Sequence, residues 1–250
     1  MRRFTTVLYL LAATAACTSI DEQQPDGRQG SPRIKDVTGT TTNWSGYAVD
    51  GPAGSMNDVS GSWVVPAVTG PTGKKVKTQY SSFWVGIDGD NSNTVEQIGT
   101  DSDWTNGEAV YYAWYEFYPA ASRNINSVSV QPGDVMTASV HWNSGNSFTV
   151  TLTNTSTNET FSQTGSVNAN RTSAEWIAEA PSGGGILPLA DFGTVDFTNC
   201  TANGQAIGAF ASADTEQINM ATKHGVIKAS TTPLAADGES FDVTWLNAGP

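Results

Sequence analysis

The chain is poor in the residues that make covalent and metal-held folds: two cysteines and two histidines in 250 residues. Cys17 falls in a leader-like stretch, so Cys200 is left with no intrachain partner. A domain without a disulfide must rely on its core, which a chain of this length can build. A thiol nucleophile at Cys200 would need a neighbouring base. His141 and His224, eighty-three positions apart, make no spaced zinc ligand set with one cysteine. No G-x-S-x-G occurs, which excludes the serine elbow. D-G-D-N-S-N (88–93) begins like a calcium loop, but an EF-hand needs a glutamate where Gly99 stands. A turn capped by its own side chains fits better. Neither a metal nor an organic cofactor is expected.

Positive charge is scarce too. Twelve Lys and Arg face 24 Asp and Glu, for a formal net charge of −12, and only 14% of residues are charged. The one basic cluster, Lys74, Lys75 and Lys77, sits in a Gly/Pro loop and reads as a solvated turn, so no nucleic-acid partner is expected. A long apolar run is missing as well. Residues 1–16 carry two arginines and then V-L-Y-L-L-A-A-T-A-A, a signal peptide too short to span a bilayer. Ala13-Thr14-Ala15 fits ordinary release. Thr14-Ala15-Ala16-Cys17 resembles a lipobox with threonine where leucine is usual, so a lipid anchor at Cys17 is the alternative to secretion. Residues 1–17 are read as leader and 18–42, with Pro25, Gly27, Gly30 and Pro32, as a linker or short pro-segment. Residues 43–250 form one domain, expected to be a monomer with no transmembrane segment.

What is present is β-structure. Short runs rich in Val, Ile, Thr and aromatics alternate with Gly, Asn, Asp and Ser clusters, as in V-S-G-S-W-V-V-P (59–66), S-F-W-V-G-I (82–87) and S-F-T-V-T-L-T-N (147–154). No segment offers a helical face of twelve residues and no repeat is visible. The pattern predicts an all-β antiparallel sandwich. Period two then sorts the side chains. In V-Y-Y-A-W-Y-E-F-Y (110–118), Tyr112, Trp114, Glu116 and Tyr118 share a side. In A-E-W-I-A-E-A (174–180), Glu175, Ile177 and Glu179 do, opposite Trp176. Gln97 lies with Val95, and Glu96 with Ile98. One sheet face is therefore aromatic with acids planted in it. A core would refuse the acids and a wet face the rings; a substrate groove takes both. The plainer readings are an exposed strand end at Glu179 and a buried acid bonded to a tyrosine at Glu116. Carboxylate chemistry on such a face serves peptide or glycoside hydrolysis.

Several stretches, in order, resemble the eqolisins, the glutamic endopeptidases. They are N-W-S-G-Y (43–47), V-S-G-S-W-V-V-P (59–66), F-W-V-G-I-D-G-D (83–90), V-E-Q-I-G (95–99), A-W-Y-E-F-Y-P (113–119), R-T-S-A-E-W-I-A-E (171–179) and F-T-N-C (197–200). The resemblance implies two packed seven-stranded sheets of concanavalin A type. It implies a catalytic dyad of Gln97 and Glu179 at the rim of an open groove, lined by Trp44, Trp84, Asp88 and Glu116. It also implies protein or peptide substrates and acidic working conditions. Three departures stand out. Tyr112 replaces the aspartate of the family's D-A-W-Y-E, which suggests a broader or less acidic range. Cysteines are few. The pre-domain segment holds only Arg28, Arg33 and Lys35 as basic groups. The rival reading is a concanavalin A-like lectin or glycosidase using Glu116 and Glu179, but E-x-D-x-E is absent and that chemistry gives Gln97 no part.

Overall fold

The run S-F-T-V-T-L-T-N shows how this chain folds: Phe148, Val150 and Leu152 are buried while the threonines between them are only partly covered. The computed structural model describes residues 32–33, 40–72 and 77–249. The leader with Cys17, the linker but for a few residues, and Lys74 and Lys75 lie outside them. In chain order the strands are β1 (Trp44–Asp50), β2 (Asp58–Val64), β3 (Ser82–Ile87), β4 (Val95–Thr105), β5 (Glu108–Tyr118), β6 (Arg123–Ile125), β7 (Val135–Ser144) and β8 (Ser147–Asn154). There follow β9 (Glu159–Ser166), β10 (Ser173–Glu179), β11 (Thr194–Ala202), β12 (Gln205–Ala206), β13 (Thr215–Ile218), β14 (Met220–Ala221), β15 (Ile227–Thr231) and β16 (Phe241–Trp245).

They make two antiparallel sheets packed as a sandwich. One has seven strands in the order β13-β1-β10-β3-β4-β5-β6. The other has nine, not seven: β14-β15-β16-β11-β2-β7-β8-β9, with β12 hung on β11. The extra strands include two-residue pieces that merely extend an edge. The folded body also reaches back beyond Asn43, because Thr41 bridges Met220.

The inner faces meet in one large cluster that includes Phe83, Val85, Ile98, Phe148, Trp176 and Phe197. Trp63 Nε1 crosses from one sheet to Thr100 Oγ1 on the other at 2.9 Å, and Trp176 Nε1 finds Ser60 O at 2.7 Å. A Cβ on Gly61 would sit 2.8 Å from the Trp176 ring, so the bare backbone admits the indole. Both donors are thus satisfied inside the core, where an unmet N–H is costly.

The outer faces differ. The nine-stranded sheet shows ladders of hydroxyls such as Thr149–Thr164, Thr151–Ser162 and Thr153–Thr160. The seven-stranded sheet has no such wet face at its centre: every residue of β3 and β10 is buried. Its outer side instead carries Trp44, Trp84, Trp114, Val95, Ile177 and Ile218 in a second cluster.

Candidate active site

Cross-strand neighbours share a face, so register alone lays out the site in three rows. One runs Ala48, Glu175, Gly86, Gln97, Glu116 across β1, β10, β3, β4 and β5. The next is Gly46, Ile177, Trp84, Gly99, Trp114, and the third is Trp44, Glu179, Ser82, Asp101, Tyr112. Gln97 and Glu179 therefore lie on the same face of the same sheet, on the two strands that flank β3.

Trp84 occupies the space between their rows. Its Nε1 donates to Glu179 Oε2 at 2.9 Å. Its far edge lies over Gly86, where an added Cβ would meet Trp84 Cζ3 at 2.8 Å and Gln97 Cβ at 3.3 Å. One indole thus touches the acid at one end and the neighbourhood of the amide at the other. Trp44, the cross-strand partner of Glu179, meets Trp84 edge-on with centroids 5.0 Å apart. Under these rings Glu179 and Gln97 are both fully buried, rather than standing at an open rim.

Gln97 is oriented by Glu116. Its Nε2 donates to Glu116 Oε2 at 2.8 Å, which leaves Oε1 buried with no hydrogen-bond partner among the described residues. Trp44 Nε1 is likewise a buried donor with none. Native interiors rarely leave such groups unmet, and functional sites are where they do.

Period two carried on from Gln97 would also have found Asp101 and Asp103, which share its face. The Tyr112 hydroxyl lies between them, 2.7 Å from Asp101 Oδ2 and 3.0 Å from Asp103 Oδ2, so its single hydrogen is shared by the two, while Trp114 Nε1 reaches Asp101 Oδ1 at 2.5 Å. The residue that departs from the family pattern is thus a hydroxyl laid against two carboxyls.

Asp88 is placed differently from its expected lining position. At φ 67° it turns the chain out of β3 and accepts from Arg171 N, Thr172 N and Thr172 Oγ1 at 2.7, 2.8 and 3.0 Å. It clamps the loop that enters β10. The following turn is capped by Ser92 Oγ, which accepts from Gly89 N and Thr94 N.

Around Asp88 acids crowd together. Burial pushes the Glu175 carboxyl well above the usual range, with the charges of Asp88, Asp90 and Asp50 adding to it against a hydrogen bond from Ser173. Burial, then Asp88, pushes Glu96 up to about 9. Asp50, Asp90 and Glu216 bring oxygens within 4.8 Å of one another. The cation set among them is Arg33, which donates to Asp90 at 3.1 Å and to both oxygens of Glu216. Pro32 and Arg33 are tied down by Asn43 Nδ2 and Gly89 O. Cys200 is buried far from this face's chemistry, its thiol pushed well up by desolvation, and is no nucleophile.

An all-β sandwich that gathers acids, an amide and indoles on one sheet face holds the groups that carboxylate-based hydrolysis would need. Comparison with known proteins gives the class. The model of the Peptidase A4 family matches residues 42–245. Aspergillopepsin-2 of Aspergillus niger is 31% identical over 241 residues, covering 85% of this chain and 82% of that protein. Scytalidopepsin B of Scytalidium lignicola is 33% identical over 180 residues, 66% of each. The crystal structure of scytalido-glutamic peptidase with a transition state analog inhibitor superposes with a TM-score of 0.68 at 25% identity, covering 82% of this chain and 98% of that one. Aspergilloglutamic peptidase from Aspergillus niger gives 0.59 at 30%, covering 67% and 99%. The chain belongs to the Peptidase A4 family, the eqolisins, and is a glutamic endopeptidase.

Proposed function

We propose that this peptidase is exported, works in acid, and cuts peptide bonds with a water molecule activated by Glu179 and Gln97. The observation that carries the reading is the arrangement around Trp84. The acid and the amide flank one strand on one face, the indole holds Glu179, and Glu116 turns Gln97 so that an unpartnered oxygen remains.

Hydrolysis needs a base for water, a donor for the oxyanion and an acid for the departing amine. Glu179 as carboxylate takes a proton from water while the oxygen bonds to the scissile carbonyl carbon. Gln97 Oε1 accepts from that water, and the second hydrogen on Nε2 donates to the developing oxyanion. The proton on Glu179 then passes to the amide nitrogen, the C–N bond breaks, and acid and amine leave. Trp44 and Trp84 supply an apolar wall and one free indole N–H for the peptide. Asp88 serves by holding the loop that starts β10.

The test is digestion of denatured casein at several acidic pH values in the presence of pepstatin and a chelator. Wild type should cleave. Glu179→Gln should lose about 10²–10⁴-fold or more in kcat, the scale of general acid–base catalysis. Gln97→Ala should lose about 10²–10³-fold, as expected for one oxyanion donor. Wild-type rates in both variants would remove the dyad, and cleavage blocked by the chelator would remove the mechanism.

A further inference from the structure

Beyond the Glu179 end of the sheet lies a cavity of about 700 Å³. Its walls continue the site strands: Thr42 is two residues before Trp44, and Ser182 is three after Glu179. Lys223 and His224 of the turn between β14 and β15 also line it, as does Lys228. Among the described residues no carboxylate lines it, in a chain with 24 acids and 12 Lys and Arg, yet three of its lining residues are basic.

Lys228 is what makes the cavity chemically specific. It is 1% exposed, and among the described residues the one acceptor that its Nζ reaches is Thr42 O, at a long 3.5 Å. An ammonium carries three donors. Its position is enforced from behind. Leu246 N and Asn247 N donate to Lys228 O, and the tail passes over the stem so closely that a Cβ on Gly249 would lie 2.9 Å from Cδ and Cε. The methylenes are therefore packed under the tail, while Nζ reaches toward the backbone of Thr42, which lines the cavity with Lys228. Desolvation lowers this lysine to about 8, so below neutral pH it remains a buried cation, and among the described residues no acid forms an ion pair with it. Such a charge is costly to bury unless something pairs with it.

We propose that this cavity is the substrate subsite for a carboxylate, with the Lys228 ammonium as its partner. The inference rests on the peptidase reading above and adds a specificity to it. The carboxylate has two sources in a peptide, a glutamate side chain near the scissile bond or the free C-terminus, and the cavity's apolar walls suit the methylenes of the first.

The probes are peptide pairs identical but for Glu or Gln at each position flanking the cleaved bond, plus one pair ending in a free acid or an amide. They are assayed at pH 5, above the ordinary glutamate value of about 4.3. Wild type should favour one acidic member by about ten- to a hundredfold in kcat/KM, the scale of a charge-assisted hydrogen bond. Which pair shows it identifies the source. Lys228→Met should bring that ratio to near one while cleaving the neutral peptide normally, and Lys228→Arg should keep it. Should Lys228→Met fail to fold, Lys228→Gln takes its place. A wild-type ratio near one in every pair, or a ratio that survives in Lys228→Met, overturns the subsite. Calorimetric binding of the same pairs to Glu179→Gln reads the cavity without turnover. If wild type cuts nothing but binding still discriminates, the peptidase mechanism falls and the subsite stands.

Discussion

Two ends of one sheet face solve the problem of buried acids in opposite ways. At the Glu179 end each carboxyl is met by a neutral donor: Trp84 for Glu179, and Tyr112 and Trp114 for Asp101. At the Asp88 end, carboxyls are packed against carboxyls: Glu175 on this face, and Glu96 on the inner side of β4 beside it, are both pushed upward by burial and by their neighbours' charge. Among the described residues, Arg33 is the cation that pairs with acids there. A donor replaces the water an ionised acid has lost, whereas a second acid makes ionisation harder. The first end thus suits the proton transfer proposed for Glu179, and the second holds protons for the sake of the fold.

The largest effect that distinguishes them is on stability. A carboxyl whose folded-state value lies above its unfolded one is bound to more protons in the folded protein, so stability is full below the unfolded value and declines as pH rises toward the folded one. For Glu96 that window runs from about 4.5 to about 9. Between pH 4 and pH 7 this one group should remove about 3 kcal/mol, and Glu175 acts in the same direction. The net charge of −12 does so too, by self-repulsion. Denaturant unfolding should therefore show a protein more stable at pH 4 than at pH 7. Glu96→Gln should recover most of its share at pH 7 and change little at pH 4. A wild-type curve that rises with pH would erase the distinction between the two ends.

A smaller but sharper effect is expected at Gly86. Its φ needs no glycine, but a methyl there would collide with the Trp84 ring at 2.8 Å. The ring is buried and also packed on Trp44, so it must tilt, and the hydrogen bond to Glu179 goes with it. Gly86→Ala should lower kcat by about ten- to a hundredfold, since small misplacements of catalytic groups have effects of that order. KM should change less. The far-ultraviolet dichroism of a folded β-protein should persist. Wild-type kcat in this variant would mean that Trp84 does not position the acid.

Much of this was legible in the sequence because period two survives burial. Trp176 and Ala178 lie in the core while Ile177 belongs to the outer cluster, and Gln97 sides with Val95, as alternation requires. What alternation cannot supply is register. That Gly86 stands between Glu175 and Gln97, so that an indole can lie across it, follows only from pairing of strands far apart in the chain. Two-residue strands such as β12 and β14 are too short to display a period, so nothing in the alternation corrects the seven strands per sheet that the resemblance implies. Lys228 shows the other limit. No motif in the sequence singles it out, and it is buried because a tail some twenty positions later folds over it. Asp88, quoted for its place in a motif, turns out to cap backbone N–H groups, a role set by a left-handed φ that no pattern of side chains reveals.

The smallest expected effect tests the departure at Tyr112, where the family's pattern has an aspartate. Its hydroxyl reaches Asp101 and Asp103, two acids on the Glu179 row and just beyond it. Removing that hydroxyl while keeping the ring, as in Tyr112→Phe, leaves Asp101 with the Trp114 donor and takes the hydroxyl from Asp103. The loss is one partly buried hydrogen bond, about 1 kcal/mol of stability, and a few-fold in kcat/KM if the pair tunes the charge near Glu179. Tyr112→Asp goes further, because it sets a third carboxyl beside two others. Like charges that close resist ionisation, so part of the cluster should keep a proton to higher pH. If the tyrosine is what spares this enzyme that crowding, Tyr112→Phe should leave the pH–rate profile nearly in place and Tyr112→Asp should displace its acidic limb. Identical profiles in all three proteins would show that the Glu179 end takes its electrostatics from the indoles alone.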